Sequence, residues 1–156
     1  MARIPARPLF LAPGQYTIGI DGGADLGAMK IPVNVPEAAR WTSRESTGMV
    51  RRLDGARLDW SVPNDYGALT VVANIDRRDG IAGFAVCQPP AGASQFRVPP
   101  YAIANLPLTR RGPSDLSLGF AGVIGIPLRP PVVQTPGKER LSIYFVSLSG
   151  RSVIVQ

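Results

Sequence analysis

Histidine is missing from this chain altogether, cysteine occurs once, at Cys87, and lysine occurs only at Lys30 and Lys138. Without an imidazole the chain cannot build a Ser-His-Asp or Cys-His arrangement or a His-ligated zinc centre, because the usual proton acceptor and the commonest transition-metal ligand are both gone. A single thiol makes neither an internal disulfide nor a Cys-based zinc site, and cysteine usage therefore carries no signal about redox compartment. A serine activated by lysine needs Lys30 or Lys138, and neither stands in a Ser-x-x-Lys arrangement. No stretch approaches the roughly 18 apolar residues of a membrane span. The apolar run Leu9 to Ala12 behind Arg3 and Arg7 is too short for a secretory core, so no signal peptide is expected in the chain as it stands.

Charge is sparse and one-sided. Seventeen basic and 11 acidic residues leave a net +6, and 15 of the basic residues are arginine. The pairs Arg51-Arg52, Arg77-Arg78 and Arg110-Arg111 lie far apart in sequence and form no basic run. An arginine-biased solvated surface is the expectation, and nucleic-acid binding is the outcome only where the three pairs converge into one stripe.

What is present is apolar side chains broken by turn formers. At 45% hydrophobic and 18% charged residues the composition is that of a globular chain, and 156 residues lie in the size range of one domain. The 17 glycines and 16 prolines suit helix interiors badly and punctuate short strands well. Met29, Ile31, Val33 and Val35 alternate with polar or small residues, and Ala56, Leu58, Trp60 and Val62 do the same, which places Trp60 in the core. Tyr16, Ile18 and Ile20 form a shorter alternation, and Pro32 assigns its strand to a sheet edge. Leu69 to Ile75 and Ile81 to Cys87 are apolar on both faces and read as central strands joined by a hairpin loop at Asp76 to Gly80. Leu116 to Ile126, Leu141 to Leu148 and Ser152 to Val155 continue the pattern, with a tight turn expected at Ser149-Gly150-Arg151 and a long stiff loop at Pro127 to Gly137. The one helical candidate, Pro100 to Leu106, is bounded by prolines and allows at most two turns. The sum is an all-β chain: an antiparallel β-sandwich, Ig-like or jelly-roll-like, of about nine or ten strands with one short helical turn.

The segments that carry family information are spaced. Pro13-Gly14-Gln15-Tyr16-Thr17-Ile18 is followed by Gly22-Gly23-Ala24-Asp25-Leu26-Gly27, then by Trp41-Thr42 and the strand ending in Trp60, then by Cys87 to Pro107 with Phe96, Val98, Pro99, Ile103, Leu106 and Pro107 in register. Together they resemble a poorly characterised family of β-sandwich domains near the C-termini of secreted proteins from soil bacteria, with the pattern PGxYTV…GGADVGAF…W…CxAPxxAGxFxVPxxVLxxLP. The resemblance implies an extracellular or cell-surface location and brings no catalytic residue with it. The family pattern has strands before the tyrosine motif, so the expectation is one sandwich domain over residues 1–156 that lacks upstream strands.

Candidate sites are few. Asp21 and Asp25 flank a glycine turn that offers oxygen ligands to calcium, against the plain alternative of an Asx turn; Asp76 and Asp79 are a second pair, with Arg77 and Arg78 competing for their charge. Gly119-Phe-Ala-Gly122-Val-Ile-Gly125 lacks phosphate-loop spacing and reads as small residues in a closely packed strand. Cys87 sits among apolar neighbours and reads as an inert thiol. Tyr66, in the turn Pro63 to Gly67, is either a ring displayed for stacking on a sugar or partner, or a turn tyrosine packed on the rim; Trp41 is open in the same way. The expectation is a non-enzymatic module, without cofactor, with a structural, adhesion or assembly role. Its partners are other domains of a longer secreted protein, or another chain joined by strand addition at an edge such as that of Pro32. Carbohydrate binding and arginine-mediated nucleic-acid binding are the alternatives.

Overall fold

The computed structural model describes residues 11–23, 27–110, 117–134 and 140–156. In chain order the elements are β1 (Gly14–Ile20), β2 (Met29–Val35), β3 (Arg40–Trp41), β4 (Met49–Val50), β5 (Ala56–Ser61), β6 (Tyr66–Asp76), β7 (Ile81–Cys87), β8 (Gln95–Val98), α1 (Pro100–Ile103), β9 (Ser117–Pro127), β10 (Val132–Gln134), β11 (Arg140–Ser142) and β12 (Ser147–Val155). The chain is all-β. It divides into two compact units, Met1–Glu37 with Pro130–Phe145 and Ala38–Arg129 with Val146–Gln156.

The first unit holds two antiparallel ribbons. β1 and β2 pair from Gly14↔Val35 to Ile20↔Met29, and β10 and β11 pair from Val132↔Ser142 to Gln134↔Arg140. Pro32 stands opposite Thr17 in a two-stranded ribbon, where a residue with no N–H costs no second ladder. The alternation of β2 is realised: Ile31, Val33 and Val35 are buried while Lys30, Pro32 and Asn34 are exposed.

The second unit is a sandwich. Its larger sheet runs β4-β12-β9-β6-β7, antiparallel except for the parallel β4–β12 pair, and its smaller sheet runs β3-β5-β8. Inward residues of both sheets meet in one core of Trp41, Leu58, Trp60 and Val98 from the small sheet and Val72, Ala85, Ala121, Val123, Val153 and Val155 from the large one. Trp41 and Trp60 lie directly opposite in register. Burial of each larger aliphatic side chain here contributes about 1.5–3 kcal/mol. Ile103 of α1 and Leu106 close one end of this core.

Four strand expectations change. β7 is an edge strand, although both its faces are apolar; only β6 is central of that hairpin. Leu141 to Leu148 is not one strand, because β11 ends at Ser142 and β12 begins at Ser147. The loop at Pro127 to Gly137 contains β10. Ser149-Gly150-Arg151 is no turn, since β12 runs straight through it opposite Val123, Gly122 and Ala121. Glycine stands at position 150 because the Phe120 ring lies on it, and a Cβ there collides with that ring. The glycines of β9 behave as expected of a closely packed strand: a Cβ on Gly125 meets Ala39 Cβ at 2.7 Å and Ser147 Oγ at 2.8 Å.

The inner face of β6 carries three buried polar residues, Thr70, Asn74 and Asp76. Asn74 Nδ2 donates to the Pro107 carbonyl at 2.6 Å and to Thr109 Oγ1 at 3.2 Å, and Thr109 Oγ1 also accepts from the Val155 N–H at 2.8 Å. These bonds tie the segment after α1 across the end of the sandwich as a strap.

Candidate functional site

The predicted binding and metal residues separate in space. Trp41 is 4% exposed and its Nε1 donates to Ser43 Oγ at 2.9 Å, so its ring is a core element and no stacking surface. Strand alternation explains this: Trp41 faces the core from the same side as Trp60. Asp21 is exposed after β1, while Asp25 lies outside the described residues. Asp76 and Asp79 are claimed from within the fold. Arg110 reaches Asp76 Oδ2 at 3.1 Å through Nε and Asp79 Oδ2 at 2.5 Å through Nη2, and Asp76 Oδ1 accepts the Arg78 and Asp79 N–H groups. The competing cation is Arg110, 31 residues away in sequence, and not the Arg77 and Arg78 between the two acids. Among the described residues no group of three or more His, Cys, Asp or Glu side chains is placed to hold a metal ion.

Three arginines of these pairs make contacts within the fold. Arg52 Nη1 donates to the carbonyls of Ala104 at 2.9 Å and Leu106 at 2.8 Å, Arg51 lies 3.8 Å from Asp54, and Arg110 clamps the β6–β7 hairpin. Arg111 lies outside the described residues. Cys87 is partly buried and burial pushes its thiol pKa up, away from reactivity.

Tyr66 does stand at a concavity. The β5–β6 and β7–β8 loops enclose a cleft of about 390 Å³ whose walls include Trp60, Pro63, Tyr66, Gln88, Pro89 and Ser94. Local bonds set the walls: Tyr66 N–H donates to the Pro63 carbonyl at 2.9 Å, Ala93 N–H to Pro90 at 3.1 Å, and Trp60 N–H to Ser94 at 2.8 Å. Gly92, at φ 76°, turns the second loop in a conformation that disfavours a side chain. Desolvation raises the pKa of the Tyr66 phenol, so it stays a neutral hydroxyl. Trp60 Nε1 is buried without a hydrogen-bond partner. A second, larger cleft of about 660 Å³ lies beside Arg51, Arg52, Leu53, Tyr101 and Leu108, with Leu53 and Tyr101 almost fully exposed.

The third feature is a whole sheet face. Side chains paired in register point the same way, so the outer face of the large sheet is built in rows: Leu69 with Ile124 and Leu148; Val71 with Val86, Gly122 and Gly150; Ala73 with Phe84, Phe120 and Ser152; Ile75 with Ala82 and Leu118. None of these side chains is charged. Phe84 is 77% exposed, and Val86, Leu148, Leu118 and Ile75 are exposed beside it. The outer face of the small sheet is the opposite in character, with Arg57 donating to Asp59 Oδ1 at 3.0 Å and to Gln95 Oε1 at 2.6 Å, and Arg97 alongside Arg57.

Sequence reasoning found Tyr66 and missed the other cleft wall at Gln88 to Ser94, which is remote in sequence. It also read the two-faced apolar strands as central, whereas β7 is an edge strand and both strands carry an apolar face open to solvent. Comparison with protein-family models, with curated proteins and with solved structures gave no match.

Proposed function

We propose that this chain is a non-enzymatic assembly module of an exported or cell-surface protein, and that the outer face of its large sheet packs against the same face of a second copy. The observation that carries the reading is the uncharged, apolar outer face spanning β12, β9, β6 and β7, on which Phe84 of the edge strand is the most exposed side chain. Five large apolar side chains, Ile75, Phe84, Val86, Leu118 and Leu148, are exposed on this one face, and a large contiguous apolar patch marks an interaction surface. A two-fold contact brings the same patch from each copy together, so each copy covers the apolar face of the other. Two such sheets stack face to face about 10 Å apart with interdigitating side chains, and with no charge on either face none is stripped of water. The non-enzymatic part of the reading is supported by a sequence without histidine and by acids and arginines engaged in structural bonds. The export part is supported by the family resemblance.

The test is the mass in solution, by light scattering over a concentration series, of the natural chain and of Phe84→Glu. The expected result is a monomer–dimer equilibrium that the glutamate shifts to monomer while the circular dichroism spectrum stays that of the parent. A chain that remains monomeric throughout the series, or a Phe84→Glu variant that dimerises as well as the parent, overturns the proposal.

A further inference from the structure

The cleft between the β5–β6 and β7–β8 loops has a character that the assembly reading does not use. No charged side chain lines it, although the chain carries 28 charged residues and a net +6. Its polar walls include Asn64, Gln88, Ser61 and Ser94, set beside Tyr66 and the exposed Pro90. Trp60 also lines the cleft, with its ring packed in the core and 3% exposed.

From this we infer that the cleft is a binding site for a neutral saccharide. Amides and hydroxyls both donate and accept, which is what sugar hydroxyl groups require, and an aromatic face supplies the stacking surface for a pyranose ring. The absence of charge disfavours phosphorylated and acidic ligands, whose desolvated anion finds no counter-charge there. A cleft of about 390 Å³ falls at the lower end of small-ligand sites and suits one or two sugar rings. A proline-rich peptide is the poorer fit, because it docks between several exposed rings and Tyr66 is the one aromatic besides the buried Trp60 in these walls. The site rests on loops of the sandwich end and not on the apolar sheet face, so it stands or falls independently of dimer formation.

The two tryptophans provide the assay. Trp41 Nε1 is bonded to Ser43, so its indole resonance serves as an internal control for that of Trp60. The ¹⁵N-labelled chain is titrated with neutral gluco-, galacto-, manno- and xylo-oligosaccharides, with oligogalacturonate, and with a proline-rich peptide. The expected result is a saturable shift of the Trp60 indole signal with at least one neutral oligosaccharide and none with oligogalacturonate. Gln88→Ala, an exposed position, and Tyr66→Ala are each expected to weaken that binding about tenfold or more. Gln88→Ala is expected to leave the melting temperature unchanged. No shift with any neutral sugar overturns the inference. An equal response to the acidic sugar or to the peptide alone, or unaltered affinity in both variants, overturns it as well.

Discussion

Replacing Asn74 tests whether the strap after α1 is held by the inner face of β6. Asn74 is fully buried, and its amide donates to the Pro107 carbonyl at 2.6 Å and to Thr109 Oγ1 at 3.2 Å. In Asn74→Ala both bonds go, at about 1 kcal/mol net each, and the Pro107 carbonyl loses its donor at a further cost of about 1 kcal/mol, for a total of about 3 kcal/mol. Thr109 keeps its bond from the Val155 N–H. For a chain of this length that is a fall of about 6–12 °C in melting temperature. Asn74→Asp separates hydrogen bonding from shape. A carboxylate of the same outline points an acceptor at an acceptor, and the expected cost at pH 7 is about 3–5 kcal/mol. Burial raises the folded pKa of that aspartate above its unfolded value of about 3.9. Its stability contribution is therefore fully present below that pH, where the neutral acid donates to Pro107, and is lost as pH rises through the folded pKa. Urea denaturation of the three proteins at pH 7 and near pH 4 measures both effects. A loss below about 1 kcal/mol for Asn74→Ala, or an aspartate variant whose deficit relative to the parent does not shrink in acid, refutes the reasoning.

Arg110→Ala removes the clamp on Asp76 and Asp79 and leaves a nearly buried carboxylate held only by the Arg78 and Asp79 N–H groups; a loss of about 1–3 kcal/mol in denaturant unfolding is expected, with salt screening reducing it little because Asp76 is shielded. If two copies of net charge +6 associate through an uncharged face, added salt screens their long-range repulsion, and sedimentation velocity is expected to show more dimer at high ionic strength; a dimer that dissociates with salt contradicts an apolar contact. Cys87, with its thiol pKa raised by burial, is expected to alkylate with iodoacetamide more slowly than an unfolded-chain cysteine at pH 8, the gap narrowing only as pH climbs above the ordinary thiol range. Equal rates in the native and urea-unfolded chains speak against that burial. Gly150→Leu drives a side chain into the Phe120 ring and is expected to cost about 1–3 kcal/mol by thermal melting; an unchanged melting temperature contradicts that contact.

Much of the fold is written in local order. Period-two alternation in Met29 to Val35 and Ala56 to Ser61 specifies which side chains share a face, because successive residues of an extended chain point to opposite sides whatever lies beyond them. The lack of histidine and the scatter of lysine restrict the chemistry just as directly. Alternation is silent about what comes to rest on a face. Leu69 to Ile75 and Ile81 to Cys87 have apolar residues on both sides, and nothing local distinguishes a strand buried twice from one whose second side faces solvent; the packing of the small sheet against one face only makes that distinction, and leaves Ile75, Phe84 and Val86 exposed on the other. The cleft depends on the same non-local step, since Tyr66 and Gln88 to Ser94 become neighbours only once β6 and β7 have paired. So does Asn74, which meets Pro107 across 33 residues of chain. Side-chain orientation is a property of neighbouring bonds and can be read along the chain, whereas coverage and convergence are properties of packing between distant segments and exist only after the sheets have closed.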